Sequence, residues 1–402
     1  MRRTGLGSGD DDPRASLIPV WRATGAGLCA CLVGIGIGRF AYTPLIPALI
    51  AAGWFAPTDV LYLAAANLVG YLAGALLARR MARALPTLTV LRGAMVLATA
   101  ACFACAVPLS LSWYFAWRLA AGLAGGIIMV LAAASILPHV PPARRGLAGG
   151  VVFTGIGLGI AASGTLVPLL LRHGLAETWQ GLGLLSAVLT LVSWRSWPPS
   201  EGRAISGSLP PTSPLRFAPV RVLALEYGLN AIVLAPHTIF LVDFVARGLN
   251  QGLTVGSGYW IAYGMGAMAG PLLAGFLADR AGFRTALRLA YLVQGAMVAV
   301  PLVTSAAPVL LASAVVLGAC TPGIVPLAFG RLHELLPNDL PRRQVAWGQI
   351  ATSYAVFQAI AAYGLSFLFT RTGSYLMLFA VGVSAAALAL ALDLLAGRRA
   401  PR

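Results

Sequence analysis

Lysine is absent from this sequence: all 28 basic side chains are arginine. Acidic residues are scarce too, 12 in 402, and charged residues of either sign make up only 10% of the chain. A water-soluble domain needs charge to cover its surface, so an ordinary soluble globule is excluded. Without lysine there is no phosphate-cradling glycine loop of the kind that drives a primary pump. Cys29, Cys31, Cys102, Cys105 and Cys320 are odd in number and all lie inside apolar runs, so no disulfide framework follows. Cys102 and Cys105 would share a helix face, but no histidine or second pair accompanies them. They read as small packing residues, and neither a metal nor a cofactor is expected. No HExxH, no paired carboxylates and no Ser–His–Asp arrangement stand out, which leaves a membrane-embedded enzyme or lipid-modifying protein as the weaker alternative.

What the chain has is apolar sequence, 59% hydrophobic with a mean hydropathy of +0.84. A helix crossing the hydrocarbon needs about 20 apolar residues. Punctuated by arginine, proline and polar residues, the chain offers twelve such runs: 25–51, 59–78, 88–108, 112–137, 147–171, 178–197, 222–245, 255–278, 287–305, 309–331, 345–370 and 374–396. The expected fold is an all-α membrane protein. The first run is long enough to span and lacks signal-peptide cleavage chemistry, so it is expected to be retained.

The net charge of +16 does not indicate nucleic acid, because the arginines cluster between apolar runs rather than along one face. Placed on twelve spans, Arg172, Arg247 and Arg371 fall in outer loops and Arg39 and Arg118 inside spans. All other arginines fall at one side, which the positive-inside rule makes cytoplasmic, with both termini inside a bacterial inner membrane. A 1–24 tail precedes a six-helix half over 25–197. Residues 198–220, rich in Pro, Ser and Gly, read as a cytoplasmic linker to a second half over 221–402. The halves echo each other: GALLARR at 74–80 matches GFLADRA at 275–281, and ARRGLA at 143–148 matches PRRQVA at 341–346. A parallel repeat of this kind places a substrate site between halves that open alternately.

Gly275-Phe-Leu-Ala-Asp279-Arg280-Ala-Gly282-Phe-Arg284 resembles the loop signature of the major facilitator superfamily, and the resemblance extends over essentially the whole chain. It implies a gating motif in which Asp279 faces helix N-termini and arginines. The first-half copy departs from it, with Ala78 in the aspartate's place and Met81 in the glycine's. Arg118-Leu-Ala-Ala-Gly122-Leu-Ala-Gly125-Gly126 resembles a second superfamily motif. Gly34-Ile-Gly36-Ile-Gly38-Arg39-Phe-Ala-Tyr42-Thr-Pro-Leu-Ile-Pro47 and Phe153-Thr-Gly155-Ile-Gly157-Leu-Gly159 are similar to the YbfB/YjiJ-type branch. The resemblance implies a secondary transporter, and a monomer is expected.

Arg39 lies fourteen residues into its run, roughly 21 Å from one end and 18 Å from the other. A charge there needs a wet cavity or a partner, so it is expected either to face the cavity in a substrate or gating role, or to be a packing charge held in a permanent ion pair or by carbonyls. No acidic residue lies in the first six runs except Asp59 and Glu177 at span ends, which favours an anionic or zwitterionic solute. Arg118, beside Trp113 and Trp117, either snorkels outward or serves the cavity. Tyr42, Asn230 and Gln358 are further cavity candidates. Glu226, Asn230 and His237 advance by four and seven along one face. Glu226 and His237 are therefore proton-coupling candidates, unless Glu226 pairs with Arg221 or Arg216. Asp243 is expected to be a solvated helix-end charge, and Asp393 to balance Arg398 and Arg399.

Overall fold

The computed structural model describes residues 17–141, 144–198, 215, 217–337 and 339–398. Among these the regular structure is entirely helical, and twelve helices are long and apolar enough to cross a membrane. They are α1 (Val20–Ala51), α2 (Pro57–Ala84), α3 (Thr87–Cys105), α4 (Leu111–Ile136), α5 (Ala148–Leu170) and α6 (Leu175–Ser193). Then follow α7 (Ala218–Gly248), α8 (Gly252–Ala281), α9 (Phe283–Val303), α10 (Ala307–Leu335), α11 (Val345–Thr372) and α12 (Tyr375–Leu395). The twelve spans expected from hydropathy are all present.

Most ends run past the apolar runs, because a helix continues into polar residues until something breaks it. The first helix starts at Leu17, earlier than the expected 25, and the tail residues 1–16 lie outside the described residues. So does most of the linker, at 199–214, together with Arg216 and Arg399. The two arginine motifs are not loops: Gly74–Arg80 lies inside α2, and Gly275–Arg280 forms the last turns of α8. The α8–α9 break falls at Gly282, whose φ of +76° no L side chain adopts easily. The adjoining Phe283 N–H, an orphan donor of the new helix, is taken by the Glu334 carboxylate at 3.2 Å.

Helix contacts follow the small residues. In membranes, close backbone approach substitutes for the missing hydrophobic drive between helices. α2 meets α4 where Gly70, Gly74, Gly122 and Gly126 lie against facing backbone, and α8 meets α10 in the same way through Gly266, Gly270 and Gly318. α5 packs on α8, and α2 on α11. α7 is the most enclosed span, with 94% of its apolar window buried. Leu191, Val192, Leu272 and Val303 stand exposed on other helices, an apolar exterior that suits lipid.

Candidate functional site

The centre of the molecule is built on an irregularity in α1. Residues Leu32–Phe40 are π-helical, with Ala41 N–H reaching back to the Gly36 carbonyl at 3.2 Å. Such wide turns recur at functional sites because they turn backbone and side chains out of register. Glycines let this segment press against its neighbours: a Cβ on Gly36 would lie 2.7 Å from the Gly159 Cα of α5. The Gly38 carbonyl accepts from Asn67 Nδ2 of α2 at 3.2 Å and from Arg118 Nη1 of α4 at 3.0 Å. Two side chains from two helices therefore hold the turn that carries Arg39.

Arg39 Nη1 donates to Gln358 Oε1 of α11 at 3.1 Å, across 319 positions of sequence. The guanidinium sits 4.6 Å from the centre of the Phe40 ring and 5.7 Å from that of Tyr71. A cation over a ring face gains about 0.5–2 kcal/mol. Its ionisable neighbours are Tyr354, Tyr71 and Tyr263, and no carboxylate among the described residues pairs with it. Gln358 in turn donates to the Tyr354 hydroxyl at 3.4 Å. A permanent ion pair is therefore not what the geometry holds among the described residues; the one side-chain bond goes to an amide oxygen.

Arg118 does not snorkel. It is 2% exposed, lies 4.1 Å from the Tyr42 ring centre and spends one donor on the Gly38 carbonyl. Tyr42, buried beneath it, donates its hydroxyl to the Val60 carbonyl at 2.9 Å. Arg39, Tyr42, Asn67 and Arg118 share a small cavity of about 20 Å³ with Thr43 and Thr238. That volume holds about one water molecule. Thr43 closes it by donating to the Thr238 carbonyl of α7 at 2.7 Å. Arg39, Tyr42, Arg118 and Gln358 are thus brought together. Asn67 and Tyr71 complete the group and were not singled out from sequence, although a lone asparagine in an apolar span is the usual signal for such a bond.

The stripe on α7 is buried throughout: Glu226, Asn230 and His237 are each 3% exposed or less. Glu226 makes no ion pair among the described residues: Arg221 is exposed, and Arg216 lies outside them. Its surroundings are Tyr291, Arg284 and Arg288 of α9, Arg331 of α10 and Asp393 of α12. Glu226 Oε1, Tyr291 O–H and both polar atoms of Gln294 lack partners among the described residues. His237 instead packs edge-on against Phe379 of α12, centroids 5.2 Å apart. The Asn230 Oδ1 has no described partner.

One expectation is corrected. Asp243 is not solvated but fully buried, binding Arg247 through both oxygens at 2.5 and 2.7 Å and accepting from the Tyr375 hydroxyl at 2.5 Å. A helix end that packs against α12 has no water to offer a carboxylate. Asp393 pairs with Arg288 on neighbouring α9, and the side chains of Arg398 and Arg399, expected beside it, lie outside the described residues. In the gate motif, Asp279 is exposed and makes no ion pair with described residues, while Arg280 lies over Phe276 at 3.8 Å. Arg284 buries its Nε without a described partner. No metal-binding cluster occurs among the described residues.

Twelve apolar helices around a cation bridged between the first span and the eleventh define a polytopic membrane protein with a polar centre. The family model described as "Uncharacterised MFS-type transporter YbfB" matches residues 31–395, and the chain belongs to that family of membrane transporters. No curated protein matches the chain.

Proposed function

We propose that the protein is a secondary active transporter that moves a small anionic or zwitterionic solute across a bacterial inner membrane by alternating access, coupled to protons. The observation that carries this reading is Arg39, a mid-span cation whose one described side-chain hydrogen bond goes to a neutral glutamine on α11. An unpaired buried charge costs several kcal/mol, and an arriving anion relieves it. The bonds that join early to late spans, among them Arg39 to Gln358, Thr43 to the Thr238 carbonyl and Trp260 to Ser163, are single neutral-acceptor bonds of about 1–3 kcal/mol each, weak enough to break in a transport cycle. The prolines within helices, among them Pro47, Pro168, Pro236, Pro271, Pro322 and Pro326, supply bends for such movement.

Proton coupling is assigned to Glu226 rather than His237. Glu226 has arginines on α9 and α10 to stabilise its charged form and unpartnered polar neighbours to receive its neutral form. His237 faces an aromatic ring and has no described charge beside it. The test is solute uptake into proteoliposomes with and without a pH gradient, using a mixed metabolite pool read by mass spectrometry. An anionic solute should accumulate with the wild type, fail with Arg39→Ala, and cease to follow the gradient with Glu226→Gln. Accumulation restricted to cationic solutes would overturn the reading.

A further inference from the structure

The side chains around Arg39 define more than the sign of the solute's charge. Arg39 is partly accessible although it lies mid-span, and its Nε and Nη2 are neither sealed nor hydrogen-bonded among the described residues. The cavity that Arg39 shares with Tyr42 and Arg118 admits only about one water, so a solute must meet the guanidinium from another direction. Tyr354, Thr321 and Cys320 keep partly open surface there, and Tyr263, hydrogen-bonded to Thr321, neighbours both Arg39 and Tyr354. Beyond Tyr354 runs a series of packed rings. Tyr354 packs on Tyr227 at 4.9 Å, Tyr227 on Trp347 at 5.9 Å, and Trp347 on Phe329 at 5.1 Å, where Phe329 is 42% exposed near the end of α10. Of the two mid-span arginines only Arg39 keeps open donors, because Arg118 is committed to Gly38 and Tyr42.

Resting on the anion site proposed above, we infer that Arg39, Tyr354 and Tyr71 form the seat of a monoanion carried on an aromatic ring, a small aromatic monocarboxylate. The carboxylate meets the planar donor fork of Arg39, and the ring lies against the tyrosine faces. A dianion or a phosphate would bring a second charge that the seat does not match. A polyol acid would find rings where its hydroxyls need partners.

The experiment measures equilibrium binding to the purified full chain in detergent, with benzoate, cyclohexanecarboxylate, benzamide, phthalate and inorganic phosphate as probes. Benzoate should bind about fivefold or more tighter than cyclohexanecarboxylate, the gain expected of one or two ring contacts. Tyr354→Leu should shrink that preference to within about twofold, while Tyr354→Phe, which keeps the ring, should retain it. Tyr71→Leu supplies a second variant should Tyr354→Leu fail to fold. Equal binding of benzoate and cyclohexanecarboxylate overturns the aromatic assignment and leaves the anion site standing. Phthalate or phosphate bound in preference to benzoate overturns it as well. Benzamide bound as tightly as benzoate overturns the anion site itself, and absence of benzoate binding below about 10 mM overturns the inference.

Discussion

Replacing Gly36 by alanine tests whether the α1–α5 contact fixes the arginine. The added Cβ would sit 2.7 Å from the Gly159 Cα and 3.3 Å from the Gly155 carbonyl oxygen. Carbon atoms in ordinary contact are about 3.5–4.0 Å apart, so the helices must separate by about 1 Å. Both partners are backbone, and neither can swing aside. Overpacking of this kind costs about 1–3 kcal/mol, against which alanine's better helix propensity returns at most about 1 kcal/mol. A net loss of about 1–2 kcal/mol is expected, read as a lower midpoint in a detergent-solubilised thermal melt. Gly159→Ala opposes the same contact from the other side and should fall similarly. Because the two sites touch, the double variant should depart from additivity. Gly93 of α3 has no heavy atom within 4 Å of its ideal Cβ, so Gly93→Ala should melt at or above the wild type. The displacement also carries Arg39, three residues on, away from Gln358, so anion binding should weaken with Gly36→Ala and not with Gly93→Ala. A Gly36→Ala protein as stable as wild type, or a Gly93→Ala protein equally weakened, would refute the argument.

Asp243→Asn should destabilise by about 1–3 kcal/mol, a discounted figure because Arg247 keeps a third of its side chain in solvent, and Tyr375→Phe by about 1 kcal/mol; equal melts for both and wild type would show the cluster is inert. Asp279→Asn should cut transport strongly while leaving membrane insertion intact, and wild-type rates in that variant would reduce the α8 motif to a helix terminus. Arg118→Lys keeps the charge but cannot reproduce the planar stack on Tyr42 together with the Gly38 bond, so it should weaken solute binding without loss of expression; unchanged binding would sink that role. Reporter fusions after Gly252 should read outside and fusions after Arg399 inside, with a cytoplasmic signal at Gly252 contradicting the expected topology.

The number of spans was legible in the sequence because hydropathy is a local property: each run carries its own length and composition, and lipid tolerates no other backbone. Several polar residues of the centre were legible for the same reason, although Asn67 and Tyr71 were passed over. Arg39, Arg118, Gln358 and the α7 stripe each stand out in an apolar helix, and a membrane makes every such residue conspicuous. Several span ends were read short, since helices such as α2 and α10 continue for a turn or more past the apolar run. Which residues meet could not be read, because a contact between α1 and α11 leaves no trace in either segment's composition. Asp243 looks like a helix-end charge in one dimension, and only the packing of α12 turns it into a buried partner of Arg247 and Tyr375. Asp393 likewise pairs with Arg288 on α9, a partner 105 positions away that its own segment does not reveal. The π-helical turn was invisible for a related reason: the glycines that permit it are also those that permit close packing, and only the bonds from Asn67 and Arg118 to Gly38 select the wide turn. The sequence alone determined twelve membrane-spanning helices and a cation at their centre. Tertiary structure decided the cation's neighbours, because these depend on distances between helices that no single helix encodes.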